Sequence, residues 1–151
     1  MQNGIIVRTF TADEYIKAAE LERETLEEAW SAEAIAETVK TNGCYLGAFN
    51  GEQFLGHGGF TFAAGEGYIT NIVVSADARR QGVGTKIIES MLEKAKIKGL
   101  EFLSLEVRES NVAAVKLYEK MGFTVRGVRP KFYKNPTENA VIMTKDIEVK
   151  L

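Results

Sequence analysis

A chain of 151 residues, 45% apolar and 26% charged, can build one domain with a core of its own. Its formal charge of -2 argues against a nucleic-acid surface, and a single cysteine (Cys44) with a single histidine (His57) leaves no internal disulfide, no metal cluster and no basis for a Ser-His-Asp triad. The start carries no basic, apolar leader and no run is long enough to span a bilayer, so a cytoplasmic enzyme or binding protein is expected, with no membrane partner.

Ile5-Ile6-Val7-Arg8 is a short β-branched run and predicts a first strand. Thr11-Ala12-Asp13-Glu14 has the spacing of a capping box and opens a helix through Ala18, Leu21 and Leu26. Glu20, Glu22, Glu24, Glu27 and Glu28 on that helix read as a solvated acidic face. Trp30 is expected to fill the gap before a second helix, which Ser31 caps and which places Ile35 and Val39 on one face. Two apolar runs flank Asn50-Gly51, which predicts a hairpin with a type I′ turn, since both residue types accept positive φ. The next strand runs through His57, which packs within it, to Phe62. Gly65-Glu66-Gly67 then turns into a strand from Tyr68 to Val74.

Arg79-Arg80-Gln81-Gly82-Val83-Gly84 follows, and then a helix with Val83, Ile87, Ile88, Met91, Leu92, Ala95 and Ile97 at helical spacing, stopped by Gly99. The turn has the chemistry of an anion cradle, because its glycines admit a ligand close to the backbone and the helix begins there with unsatisfied N–H groups. Rival glycine motifs fail: position 87 is Ile, which ends a dinucleotide fingerprint, and no Gly-Lys-Ser/Thr occurs. A strand from Phe102 to Val107 then runs parallel to the one at Ile72, with Leu103 and Leu105 on one face and Ser104 and Glu106 on the other. By position alone Glu106 is solvated or paired with Arg108, Tyr118 is a half-buried core tyrosine, and Asn111 caps the helix that ends at Met121. Phe123 to Val128 and Ala140 to Thr144 predict a final hairpin with Pro130 and Pro136 in a long connection.

Arg79-x-x-Gly82-x-Gly84 after a β-branched strand resembles the acetyl-CoA signature of the GNAT N-acetyltransferases. Leu105-Glu106-Val107-Arg108-Glu109-Ser110-Asn111, with Leu117-Tyr118-Glu119 and Met121-Gly122-Phe123, is similar to the catalytic strand and helix of the RimI-type, ribosomal-protein-alanine branch. Tyr133 and Ala140-Val141-Ile142-Met143 resemble its terminal hairpin, and Trp30-Ser31 its Trp-Ser pair, although Ala29 replaces the usual proline and Asn139 a usual acidic residue. The resemblance implies a single N-acetyltransferase domain over residues 1–151. Its fold would be α/β (α+β), a mixed, mostly antiparallel seven-stranded sheet with about four flanking helices. CoA would lie in the splay between the strands at Ile72 and Leu105.

It further implies acetyl-CoA as cosubstrate and no metal. The amides of Gln81, Gly82, Val83, Gly84 and Thr85 would hold the pyrophosphate, with Arg79 and Arg80 adding charge. Ile72, Val73 and Val74 would pair with the pantetheine arm, and Asn111 would also contact the cofactor. Glu106 is the implied base and Tyr118 the implied proton donor. The implied acceptor is the N-terminal α-amine of a protein, such as an alanine-starting ribosomal protein, attacking directly in a ternary complex without Cys44. A small amine (polyamine, amino acid or antibiotic) is the alternative acceptor, and a non-catalytic acyl-CoA-binding module is the third reading.

Overall fold

The computed structural model describes residues 4–10, 14–25 and 31–147. The capping box at Thr11, the end of the acidic series (Glu27, Glu28), Leu26 and Trp30 lie outside the described residues.

Four antiparallel strands come first in the sheet: β1 (Ile5–Thr9), β2 (Gly43–Asn50), β3 (Gln53–Ala63) and β4 (Glu66–Val74). Two helices, α1 (Glu14–Thr25) and α2 (Ala32–Thr41), lie between β1 and β2. Ser31 caps α2 as expected, its hydroxyl accepting from the Ala34 amide at 3.1 Å. Both hairpin turns differ from expectation by one residue of register. Asn50 pairs with Gln53, so the loop is Gly51-Glu52, and positive φ falls on Gly51 alone, as in a type II′ turn. The next loop is Ala64-Gly65, where both residues have positive φ, the type I′ signature, with Ala63 paired to Glu66.

A short 3-10 turn (Ala76–Ala78) leads to α3 (Val83–Ile97), which crosses to β5 (Phe102–Arg108), and α4 (Val112–Lys120) leads to β6 (Thr124–Tyr133) and β7 (Glu138–Asp146). Val83, Ile87, Ile88, Met91 and Ala95 of α3 are buried against Leu103, Leu105, Phe60 and Leu46 in one core cluster. Ile97 departs from that stripe and is exposed, two residues beyond Ala95 rather than three or four. The final hairpin is longer than the sequence suggests. Pro130 lies inside β6, which pairs only with β7 and so leaves an edge where a missing N–H costs little. The sheet order is β1-β2-β3-β4-β5-β7-β6, seven strands, with β4 and β5 the parallel pair. Among the described residues no helix is long and apolar enough to cross a membrane.

Candidate active site

The sheet opens in its middle. β4 and β5 pair only through Glu66–Phe102, Gly67–Leu103 and Tyr68–Ser104, so beyond Tyr68 the two strands diverge. A β-bulge marks the same place: Ile69 pairs with Phe60 and Asn71 with Gly59, which leaves Thr70 as the extra residue. A bulge bends its strand and increases its twist, which carries β4 away from β5. The splay opens on a cleft of about 790 Å³ lined by Thr70, Asn71, Glu106, Arg129 and Tyr133 among others.

Glu106 reaches this cleft because β5 alternates. Leu103, Leu105 and Val107 are buried in the core under α3 and α4, which turns Ser104, Glu106 and Arg108 to the other face. The Glu106 carboxylate pairs with Arg129, Oε2 to Nε at 3.3 Å, and not with Arg108. Glu106 retains about a third of its side-chain exposure and Arg129 more than half, so an incoming cation can displace a pair worth no more than about 1 kcal/mol.

Arg108 has another task, which no local pattern signals. Its guanidinium donates to the carbonyls of Lys134 (3.0 Å) and Pro136 (3.1 Å) and to Glu138 Oε1 (3.2 Å), and it stacks 4.4 Å from the centroid of the Tyr133 ring. Glu138 in turn accepts from the Ser110 amide, and hydrogen bonds from the Ser110 side chain and then its amide, with Arg108, hold its carboxyl below the usual range. One planar group thus ties the end of β5 to the loop that walls the cleft. A lysine cannot reproduce so many directed donors. Arg108→Lys is therefore expected to raise the acceptor KM about tenfold while the KM for acetyl-CoA stays within about twofold, as read by initial rates with each substrate varied.

Tyr118 does not line the cleft. It is buried in the core cluster, edge-on to Phe123 with ring centroids 5.5 Å apart. Burial raises its pKa well above that of an ordinary phenol, and the nearby Tyr133 hydroxyl raises it further. Tyr133 does line the cleft, whereas Tyr118 does not.

The anion cradle assembles at the start of α3. Gly82 is its N-cap at φ 79°, a conformation that suits glycine, and Arg80 also lies in the left-handed region at φ 65°. The Gln81 side chain donates to the Asp77 carbonyl and braces the turn. The first helical bond runs from the Lys86 amide to the Gly82 carbonyl, so the amides of Val83, Gly84 and Thr85 have no carbonyl one turn back. Among the described residues no side chain caps this helix, in contrast to α2 and to α4, where the Asn111 oxygen accepts from the Ala114 amide, and its first turn, unlike that of α2, holds no acid. Gly84 needs no special conformation; a Cβ there would only touch Leu117, so its missing side chain leaves surface space. Arg79 and Arg80 are exposed beside the turn. Ile72, Val73 and Val74 lie on the part of β4 whose β5-facing edge has left its partner. These features fit a pyrophosphate at the helix start and an extended amide-bearing arm along β4.

The profile of the Acetyltransferase (GNAT) family matches residues 7–123 of this chain. The chain belongs to the GNAT family of acetyltransferases. It is 37% identical over 86 residues to the [ribosomal protein bS18]-alanine N-acetyltransferase of Escherichia coli K12, a match that spans 56% of this chain and 58% of that relative. It is 29% identical over 145 residues to the putative [ribosomal protein bS18]-alanine N-acetyltransferase of Bacillus subtilis 168, covering 95% and 96% of the two chains. The crystal structure of the E. coli ribosomal-protein-S18-alanine N-acetyltransferase superposes with a TM-score of 0.88 at 25% identity, over 97% of this chain and 96% of that one. The GNAT fold expected from the sequence, with its seven mixed strands and four helices among the described residues, is the fold observed.

Proposed function

We propose that this GNAT protein transfers an acetyl group from acetyl-CoA to the N-terminal α-amine of a protein, with a ribosomal protein that begins with alanine as the leading target. The observation that carries the reading is Glu106, a carboxylate beside the β4–β5 splay whose partner among the described residues is the exposed Arg129. Bound acetyl-CoA supplies the acetyl thioester. The amides of Gln81, Gly82, Val83, Gly84 and Thr85, with Arg79 and Arg80, hold its diphosphate; Ile72, Val73 and Val74 align its arm; Asn111 contacts it from the start of α4. Glu106 takes the proton from the attacking amine, directly or through one water. The proton for the departing sulfur is assigned to Tyr118, whose phenol stays protonated throughout the neutral range; as Tyr118 does not line the cleft, the assignment requires the bound thioester to contact residues beyond that lining. No covalent acyl-enzyme is needed, and Cys44 is buried in β2.

An α-amine suits this machinery. With a pKa of about 7.7–8.0 it is about a tenth neutral at pH 7, a few hundredfold more than a lysine near 10.4. Charge in the cleft also discriminates. Its lining carries Arg108, Arg129 and Lys134 against Glu106 and Glu138, a poor host for a polycationic polyamine. Those donors suit the carbonyl oxygens of a peptide. The test is CoA-thiol release with acetyl-CoA and an alanine-starting peptide, run beside the same peptide with a blocked N-terminus and free lysines. Release from the free α-amine alone is expected. Release from the blocked peptide, or from a small amine only, would overturn the proposed acceptor.

A further inference from the structure

The acidic series on α1 is not uniformly solvated. Glu20 and Glu24 are exposed, but Glu22 is fully buried between α1 and the sheet. Its Oε1 accepts from Asn71 Nδ2 at 3.4 Å, and its Oε2 lies 3.3 Å from Nε2 of His57, itself fully buried. Beside this pair the Tyr45 hydroxyl shares a 2.9 Å hydrogen bond with Thr70, the bulge residue. Tyr45 can cross the sheet to that point because Gly59 has no side chain, since a Cβ there would lie 2.6 Å from Tyr45 Cδ1.

Burial of a carboxyl group is costly and calls for a compensating role. Asn71 supplies one, because it also lines the cleft, three residues past the last β4–β5 pair on β4, as Glu106 is two residues past it on β5. Oε2 faces His57 Nε2 and carries any proton that this pair shares, so Oε1 only accepts; it selects the amide nitrogen of Asn71 and thereby fixes which way Oδ1 points. We infer that Asn71 binds the acceptor amine through Oδ1, opposite Glu106, and that Glu22 is the positioning residue that locks the Asn71 amide for this task. The inference rests on the acetyl-transfer reading above and assigns one hydrogen bond to the acceptor.

The test is a double-mutant cycle on the full chain, with acetyl-CoA and an alanine-starting peptide. Asn71→Ala and Glu22→Met are each expected to lower kcat/KM for the peptide about tenfold, mainly through KM, while the acetyl-CoA KM stays within about twofold. The double variant should be no worse than either single, because both remove one interaction. Glu22→Gln keeps an accepting oxygen and should stay within about threefold of wild type. Losses that multiply, a Glu22→Gln as impaired as Glu22→Met, or an acetyl-CoA KM that rises in parallel would overturn the inference. Should Glu22→Met fail to fold, Asn71→Asp decides: two facing carboxyl groups should cost at least as much as Asn71→Ala, and wild-type kinetics would refute the assignment. If wild type ignores the peptide, the protein-acceptor reading fails and the same cycle with spermidine tests Asn71 and Glu22 alone. Wild-type silence on both amines would count against both.

Discussion

Glu106→Gln is expected to lower kcat about 10²- to 10³-fold at pH 7, within the range that a positioned general base contributes. The fold should be little affected, because the residue is partly exposed and its partner Arg129 is more exposed still. The deficit should also depend on pH in a defined sense. Neutralising an α-amine costs about 1 kcal/mol at pH 7 and almost nothing above pH 9, so part of the work of the base disappears as the substrate deprotonates itself. Rates of the variant and wild type should therefore converge by up to about tenfold between pH 7 and 9. A pH-rate profile of kcat with the alanine-starting peptide checks both features. Equal turnover at every pH would remove Glu106 from the role of base.

The second large effect is on stability in acid. Burial lowers the pKa of His57 to about 4, against a smaller opposing effect from the Ala18 backbone. In the unfolded chain the ring titrates near 6.5. The unfolded state therefore binds more protons between these values, and the stabilisation that is complete above 6.5 is lost as pH falls through about 4. The full gap corresponds to about 3 kcal/mol. The carboxyl groups with lowered pKa, Glu138 and Asp146, lose their contributions at lower pH and do not account for a decline that begins near 6.5. His57→Phe keeps the ring contacts with Phe54 and Tyr45 without the titration. Urea unfolding at several pH values should show a decline for wild type between pH 6.5 and 4 and a much flatter curve for the variant. Parallel curves would show that His57 does not titrate on unfolding.

What the sequence discloses and what it conceals follow from distance along the chain. Local signals are legible: the α3 stripe, the caps at Ser31 and Asn111 and the glycine stop at Gly99 each depend on neighbours within a turn or two. Alternation in β5 likewise showed that Glu106 faces away from the core. The turns of the hairpins missed by one residue, because register is settled by the whole sheet rather than by the Asn-Gly pair. The partners that make the site were hidden. Arg108 meets the loop 26 to 30 residues ahead, and Glu22 meets Asn71 at a separation of 49. In the sequence Glu22 is one more acid on a solvated helix, since periodicity alone cannot tell a buried member of such a series from its exposed neighbours. Burial of Tyr118 could be foreseen, but not its absence from the cleft lining, which needs the whole sheet and α4 in place.

A crystal structure with CoA and the alanine-starting peptide is the measurement that tests the central claim most directly. It should show the diphosphate on the amides at the start of α3, the arm along β4 beyond Tyr68, and the sulfur in the splay with the peptide amine beside Glu106. A CoA molecule bound elsewhere, or a peptide amine on the far side of the sheet from Glu106, would contradict the account.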